Sequence, residues 1–289
     1  MKENFNINNP MAPPWLMFPD MRRHSAGWKI GRGERYICEF INWYGNLTTE
    51  EKDAFQSLFP EAKGWLGFYD RDDSEDIYDS NILLWNRDGE IDYNIDCLKG
   101  DYKDGKNLEY LFFSGHQPSK DGNITESCLS QWWKSDFRID SNNYSCMEQY
   151  MMAEKARLFN DNEALEKIMK TSNQLIMQEV GRDVKNFDEN LWIKRRYAII
   201  LNGNYAKFGQ NHELRQFLTD TRDKVLVNAS AYDNIWGIGT YDFENRENPC
   251  AWEGANLLGF ALMEVREEIL KVYNNYDKLD FAMINKLFK

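Results

Sequence analysis

Histidine and cysteine are scarce in this sequence. The three histidines stand far apart at positions 24, 116 and 212, and the five cysteines include no Cys-x-x-Cys pair. These spacings exclude the usual zinc patterns and a disulfide framework, and they give little support to a Cys–His nucleophile. We therefore expect reduced thiols, no metal and no cofactor.

Long apolar runs are also missing. The longest aliphatic run, "AIIL" at residues 198–201, is far too short to cross a bilayer. The first ten residues, "MKENFNINNP", lack the apolar segment of a signal peptide. These two absences predict a soluble, cytoplasmic protein that does not associate with membranes.

Positive charge is the third shortage, with 35 Lys and Arg against 47 Asp and Glu and a formal net charge of −12. Broad, salt-driven binding to nucleic-acid phosphates needs clustered basic residues, so the balance argues against it but allows a local basic pocket. The sequence has neither a Walker loop nor a Gly-x-Ser-x-Gly elbow. The "GIG" at 237–239 lacks the third glycine of a dinucleotide fingerprint.

The first part of the chain carries mixed helix and strand signals. "NLTTEEKDAFQSLF" (46–59) predicts a capped helix, with Thr48 facing Glu51. "GWLGFYD" (64–70) and "NILLWNRDGEIDYNI" (81–95) predict short strands, the second with an Asp-Gly turn. The acidic stretch "DRDDSEDIYD" (70–79) does not have calcium-loop spacing, which favours a solvated loop over a cation site.

The second part is mainly helical. The turn-rich "KGDYKDGKN" (99–107) marks a boundary, followed by strands in "LEYLFF" and "FRIDSNNYS", helices from 145 to about 218, and a strand in "KVLVNAS". Two last helices begin near Ala255 and Asp277. We predict a mainly α fold, that is, α+β with a few short strands. It comprises an accessory α+β region at 1–105, a helical domain at 106–274 and a C-terminal helix at 275–289.

Glu148 has two interpretations from its spacing alone. Ser145-Cys146-Met147-Glu148 fits the S-x-x-E capping box, in which the glutamate serves the start of a helix. Glu148 and Lys155 also recur on one helical face among apolar residues, as expected for an acid or base with a tuned pKa. The capping interpretation is the one that spacing favours.

Two further residues carry open alternatives. Trp192 lies on the amphipathic helical segment 188–211, where a tryptophan usually packs in the core but can stack on a base. Asp233 lies in the loop "NASAYDNIWGIG", whose glycines permit either tight turns or close approach to a ligand. Asp233 itself could contact a ligand or cap a turn with its side chain.

Seven motifs occur in a fixed order between residues 110 and 270. They are "FFSGH", "SQWW" ahead of "YSCMEQYMMAEKA", "GRDV", "KF-QN-ELR-FL-DT", "LVNASAYDNIWGIG" and "NLLG-ALMEVRE". Together they resemble the NADAR family, also called the YbiA-like family. The first hundred residues and the last fifteen or so fall outside the resemblance.

The resemblance implies a mostly helical domain that hydrolyses N-glycosidic bonds. Family members are associated with ribosylated pyrimidine intermediates of riboflavin synthesis and with ADP-ribose attached to guanine bases of nucleic acid. Of these we favour an ADP-ribosyl glycohydrolase acting on guanine in DNA, RNA or nucleotides. The riboflavin intermediate is one alternative, and a non-catalytic module that binds NAD or ADP-ribose is another.

The resemblance also implies a set of site residues. The family's catalytic glutamate, aspartate and lysine fall on Glu148, Asp233 and Lys155, and its tryptophan falls on Trp192. Gln149 stands where a histidine is common. We expect stacking and phosphate contacts from the remaining candidates: Trp132, Trp133, Ser114, Gly115, His116, Arg182, Trp236 and Gly237.

Overall fold

A computed structural model of the protein describes residues 5–70, 92–242 and 244–287. The helices in those ranges are α1 (Pro14–Met17), α2 (Gly31–Gly45), α3 (Thr49–Leu58), α4 (Ile95–Lys103), α5 (Met147–Leu158), α6 (Asn162–Lys170), α7 (Gln174–Arg182), α8 (Glu189–Gln210), α9 (His212–Asp220), α10 (Leu257–Val272) and α11 (Phe281–Leu287). The strands are β1 (Tyr110–Phe113), β2 (Phe137–Ile139), β3 (Asn142–Tyr144) and β4 (Val225–Asn228). The fold is mainly helical with a few short strands, as predicted.

The chain divides into two compact units. One consists of Met1–Asp79, Arg138–Asn142 and Glu268–Lys289, and the other of Ser80–Phe137 and Asn143–Glu267. The domain boundaries at 105 and 274 that the sequence suggests stay a prediction. Among the described residues, no helix combines the length and apolar character needed to cross a membrane.

The first unit has an aromatic core built by α2 and α3. The predicted capping box is confirmed, because Thr48 accepts from the amide of Glu51 and the Glu51 carboxylate accepts from the amide of Thr48. The fully buried Phe55 of α3 then lies 5.1 Å from Phe59, ring centroid to centroid, and 6.1 Å from Phe40 of α2. Aromatic side chains thus supply most of the apolar surface that α2 and α3 bury.

The predicted strand at 64–70 is wrong. Lys63–Trp65 forms a 3₁₀ turn that leads into further turns. Turning the chain here brings Trp65 to 5.6 Å from Trp15 and Phe68 to 5.3 Å from Trp65, ring to ring. Packing of these rings outweighs the local strand propensity. Of the strands and turn predicted at 81–95, residues 81–91 lie outside the described residues, as do residues 71–79 of the acidic stretch. The end of that prediction is wrong, because Asn94 caps α4 and the helix begins at Ile95.

In the second unit, α5 is the central helix and packs against α6, α7 and α8. Gly203 of α8 permits close approach, because a Cβ atom there would collide with Tyr150 and lie 2.6 Å from Met147, both on α5. The predicted strands β1 and β4 pair in parallel, with Tyr110 opposite Val225 and Phe113 opposite Asn228. Both strands therefore end at the same edge, where their following loops begin.

Candidate active site

The first turn of α5 leaves the Glu148 side chain out of the capping interactions. The N-cap is Cys146, and the side chain that reaches back is Gln149, whose Oε1 accepts from the amide and hydroxyl of Ser145 at 2.8 and 3.0 Å. Gln149 Nε2 donates to the carbonyl oxygens of Ile168 and Thr171. The predicted Ser145–Glu148 capping box is therefore wrong by one position: the side chain that accepts from the Ser145 amide belongs to Gln149, not to Glu148.

The Glu148 carboxyl is buried with little hydrogen bonding. Its residue is 3% exposed, and Oε1 has no hydrogen-bond partner among the described residues. Burial raises the pKa of Glu148 to about 7; a hydrogen bond from the Trp132 side chain lowers it, the charge of Asp233 raises it and that of Arg182 lowers it. A carboxyl in this environment exchanges its proton near neutral pH.

A turn at residues 130–133 meets the start of α5. The Gln131 carbonyl accepts from the Glu148 amide at 2.9 Å, which satisfies one of the free amides of the first helical turn. Lys207 of α8 stabilises the turn from the protein interior. It is fully buried, and its Nζ donates to the carbonyls of Cys128 at 2.6 Å and Ser130 at 3.1 Å. Lys207 thus supports the backbone that presents Trp132 to Glu148.

The tryptophan pair of this turn splits into two environments. Trp132 is half-buried beside Glu148, with its ring 5.4 Å from that of His116. Trp133 is buried, and its amide donates to the Ser130 carbonyl. Ser114 and Gly115, just before His116, are exposed at the end of β1, with Gly115 at a φ of +72°. The structure therefore brings Trp132 to Glu148 and His116 to Trp132, whereas Trp133 packs in the interior.

The loop after β4 brings Asp233 to the same place. Asp233 Oδ1 accepts from the amides of Ile235 at 2.9 Å and Trp236 at 2.8 Å, so the side chain does cap a turn. Only this oxygen is engaged by the described residues, and the carboxylate is close enough to Glu148 for its charge to raise the pKa of Glu148. A residue 85 positions away in sequence thereby joins the start of α5.

The glycines of this loop serve its own backbone. The amides of Gly237, Ile238 and Gly239 donate to the carbonyls of Asp233, Asn228 and Ser230. A Cβ atom at Gly237 would lie 2.9 Å from Cβ of Ser230, so the turn needs glycine for space. Because these amides already donate to carbonyls within the loop, they are not free to donate to a phosphate, which is the role that the sequence suggested for Gly237.

Lys155 lies two turns further along α5 in an aromatic setting. Its Nζ donates to the Gly181 carbonyl at 2.8 Å and lies 4.4 Å from the Phe187 ring centroid and 5.5 Å from that of Trp192. Burial lowers the pKa of Lys155. Trp192 is half-buried and so acts as a wall beside Lys155 rather than as a core residue. The amine is thus predisposed to lose its proton more easily than an exposed lysine.

Arg196 is a residue of the site that sequence reasoning missed. It lies one helical turn after Trp192 on α8, and its guanidinium is 5.9 Å from the Trp236 ring centroid. Its charge also interacts with that of Asp233. The spacing of four residues between Trp192 and Arg196 was the available signal, since it puts both on one helical face. Arg182, at the end of α7, is a second and more exposed cation.

Together these residues make a site with distinct chemical parts. Glu148 offers a carboxyl that holds a proton near neutral pH, and Asp233 offers a second carboxylate in a polar turn. Pairs of carboxyl groups in unlike environments divide naturally into a proton donor and a charge stabiliser. Aromatic rings accompany each part of the site: Trp132 lies beside Glu148, Trp192 beside Lys155 and Trp236 beside Arg196.

The sequence is similar to known N-glycosidases. N-glycosidase R617 of Acanthamoeba polyphaga mimivirus is 40% identical over 166 residues, covering 55% of this chain and 96% of that protein. N-glycosidase YbiA of Escherichia coli K12 is 29% identical over 132 residues, covering 46% of this chain and 74% of that protein. The NMR structure of Escherichia coli YbiA aligns with a TM-score of 0.45 and 24% identity, covering 63% of this chain and 90% of that one.

A family model gives the assignment over more than half of the chain. The model of the NADAR domain matches residues 112–270. That range contains Glu148, Lys155, Trp192 and Asp233, and it begins within β1 and ends within α10. The chain therefore belongs to the NADAR domain family.

Proposed function

We propose that the protein is an N-glycosidase that hydrolyses the bond between a ribose anomeric carbon and the nitrogen of a base. The observation that carries this proposal is the pair formed by Glu148 and Asp233. Glu148 is buried and has a pKa near 7, while Asp233 is held in a polar turn close enough to sense its charge. The names of the similar proteins, N-glycosidase R617 and N-glycosidase YbiA, support the same class of reaction.

Glu148 in this proposal is the general acid. The nitrogen that leaves the sugar must gain a proton, and a carboxyl with a pKa near 7 holds one at neutral pH and releases it readily. As the bond breaks, positive charge develops on the ribose ring, and the nearby Asp233 carboxylate stabilises it and orients the attacking water. The reaction requires only water as a co-substrate.

The aromatic and basic residues are proposed to bind the substrate. The base stacks on Trp132, which lies beside Glu148, or on Trp192, which lies beside Lys155. Arg182 and Arg196 bind phosphate, a role that suits the fixed charge and multiple donors of guanidinium. His116, Ser114 and Gly115 remain candidates for contacts at the opposite edge of Trp132.

Lys155 has two proposed roles, a phosphate contact or a covalent one. Its lowered pKa and aromatic surroundings favour the covalent role, because imine formation requires a neutral amine. The amine would attack C1 as the bond to the base breaks and the base takes the proton from Glu148. The C1–O4 bond would then break, with O4 taking a proton from the attached amine, to leave an imine. Water would hydrolyse the imine, which releases the sugar, restores the amine and returns a proton to Glu148. Treatment with borohydride during turnover would reduce such an imine to a stable adduct on Lys155, detectable by mass spectrometry. A phosphate contact would leave no adduct.

The favoured substrate is ADP-ribose attached to guanine. A base, a ribose and a diphosphate match the aromatic rings, the two carboxyls and the two arginines of the site. The competing substrate is the ribosylated pyrimidine amine of riboflavin synthesis, which has a base and one phosphate. The non-catalytic alternative is a module that binds ADP-ribose without cleaving it.

Direct assay of product separates these possibilities. Purified protein is incubated with ADP-ribosylated guanosine nucleotide, with an ADP-ribosylated oligonucleotide and with the ribosylated pyrimidine, and free sugar phosphate and free base are quantified by chromatography. We expect free ADP-ribose and unmodified guanine. If sugar phosphate is released from the ribosylated pyrimidine alone, that compound would replace ADP-ribosyl guanine as the favoured substrate. Binding detected by calorimetry without any product would overturn the enzymatic proposal.

A further inference from the structure

Two exposed tyrosines form a pair next to the catalytic loop. Tyr232 immediately precedes Asp233 and is 87% exposed, and Tyr241 is 59% exposed. Their ring centroids lie 5.1 Å apart with the planes at 90°. An edge-to-face contact covers only one face of one ring, so most aromatic surface of the pair faces solvent. Tyrosines usually bury the ring and expose only the hydroxyl group.

Tyr232 belongs to a well-anchored part of this loop. The Asp233 side chain accepts from the amides of Ile235 and Trp236, and the Asp233 carbonyl accepts from the amide of Gly237 at 3.2 Å. The backbone at Tyr232 is therefore fixed relative to the carboxylate that we propose to act on the ribose. A stacking surface that is fixed in this way loses less conformational entropy when it binds a ligand.

Positive charge lies beside this loop although the chain as a whole carries −12. The Arg196 guanidinium of α8 is 5.9 Å from the ring of Trp236 in this loop, and its charge interacts with that of Asp233, the residue that follows Tyr232. Proteins hold single-stranded nucleic acid by placing aromatic rings on bases and cations on phosphates, and the exposed tyrosines with Arg196 beside the same loop offer both kinds of contact.

We infer that Tyr232 and Tyr241 form a stacking site for a nucleobase that neighbours the modified guanine in a single nucleic-acid strand. The inference rests on the proposed function and names its substrate class as a polymer. A site for the adenine of the substrate itself would enclose that ring, because pockets for small ligands bury most of the ligand surface. An open pair of rings suits a chain that continues beyond the pocket.

The test measures binding separately from turnover. In the Glu148→Gln background, fluorescence anisotropy at fixed salt compares a short single strand carrying one ADP-ribosylated guanine with the ADP-ribosylated guanosine nucleotide as competitor. We expect Tyr232→Ala and Tyr241→Ala each to weaken strand binding by about tenfold, the loss of one stacking contact. Nucleotide binding should stay within about twofold, and Tyr232→Phe should bind like the parent.

Matched outcomes decide the inference. Tyr102→Ala changes another exposed tyrosine, on α4, and is expected to leave strand binding unchanged. An equal loss for strand and nucleotide would assign the pair to the substrate's own adenine and overturn the inference, as would no loss for either. Should the wild-type protein cleave neither probe while the strand preference still depends on the tyrosines, the proposed activity fails and the stacking site stands.

Discussion

Glu148 lies where the start of α5 meets the turn that carries Trp132, and this position determines its chemistry. The carboxyl is buried away from water, and Oε1 has no hydrogen-bond partner among the described residues. The two charges that act on it, those of Asp233 and Arg182, shift its pKa in opposite directions. A glutamate exposed to solvent is stabilised as the carboxylate by hydration. In its buried position, Glu148 favours the neutral acid up to a pH of about 7. The same burial lowers the stability of the fold at higher pH, where the carboxyl must lose its proton.

Replacing the acid tests the catalytic role. Glu148→Gln is expected to lower kcat by about 10²- to 10⁴-fold, the usual contribution of a general acid. Glu154→Gln on the same helix is the matched control, because Glu154 pairs with Arg157. It should keep near-normal turnover. Equal activity of Glu148→Gln and wild type would remove Glu148 from the mechanism.

The same variant has an opposite effect on stability. The folded-state pKa of Glu148 is raised from 4.5 to about 7, so its contribution is fully present below pH 4.5 and is lost as the pH rises towards 7. Glutamine carries no charge, so Glu148→Gln should be more stable than wild type at pH 8 by up to about 3 kcal/mol. The difference should vanish near pH 4. Denaturant unfolding at both pH values measures it, and a variant less stable at pH 8 would contradict the assigned burial.

Sequence patterns reached some of these residues and not others. Motif order brought Glu148, Asp233 and Trp192 together, but spacing alone gave Glu148 a capping role that Gln149 fills. The predicted capping box is wrong because Ser145 lies one residue before the N-cap, Cys146. The position of the N-cap depends on backbone geometry that the sequence does not reveal. Arg196 was missed because its neighbour Trp236 belongs to a loop that is distant in sequence.

At the scale of elements, the site depends on α5, α8 and two loops that β1 and β4 bring to one edge. α8 contributes Trp192 and Arg196 near its start and the buried Lys207 near its end. A fully buried lysine is costly unless its donors are used, and Lys207 uses two of them on the carbonyls of Cys128 and Ser130. Its position explains how the turn at 130–133 stays in place.

The variant Lys207→Met tests whether Lys207 supports the turn at 130–133, with Arg266→Met as the matched control. Arg266 of α10 is also a buried cation, donating to Thr221 Oγ1 and the Lys224 carbonyl. Both Lys207→Met and Arg266→Met should destabilise the fold by about 1–3 kcal/mol for each acceptor left unpaired. Only Lys207→Met should also lower kcat at least tenfold and shift the pH profile. Identical kinetics of the two variants would mean that Lys207 is purely structural.

The sequence predicted elements better than their pairing. Periodicity identified α3, the helices from α5 to α9 and the strands β1 and β4, because each has a strong local apolar pattern. Nothing local indicated that Tyr110 would pair with Val225 in parallel, since their contact depends on the packing of five intervening helices. The strand predicted at 64–70 is wrong because ring packing around Trp65 outweighs the local strand propensity.

At the scale of the molecule, all site residues lie in one of the two compact units. The family match covers 112–270, and the aromatic unit built around Phe55 contributes none of the described site residues. This separation agrees with an accessory role for the N-terminal region, which stays a proposal.

A core truncation in the aromatic unit tests that separation. Phe55→Ala removes a fully buried ring and should cost about 3–5 kcal/mol of stability. Below its lowered Tm, kcat should remain within about twofold of wild type, because no site residue is touched. Phe113→Ala, a similar truncation in β1 beside the site, is expected to reduce both Tm and kcat. Calorimetry and turnover on the same samples would show it. Loss of turnover by folded Phe55→Ala would make the N-terminal region part of the active machinery.

The most direct measurement of the central claim is the pH dependence of kcat/KM for release of the base, in wild type and in Glu148→Gln. If Glu148 is the acid, the wild-type profile falls as the pH rises, with a midpoint near the pKa of about 7, and this limb disappears in the variant. A wild-type profile that is flat, or that rises through neutral pH, would contradict the assignment of Glu148 as the proton donor.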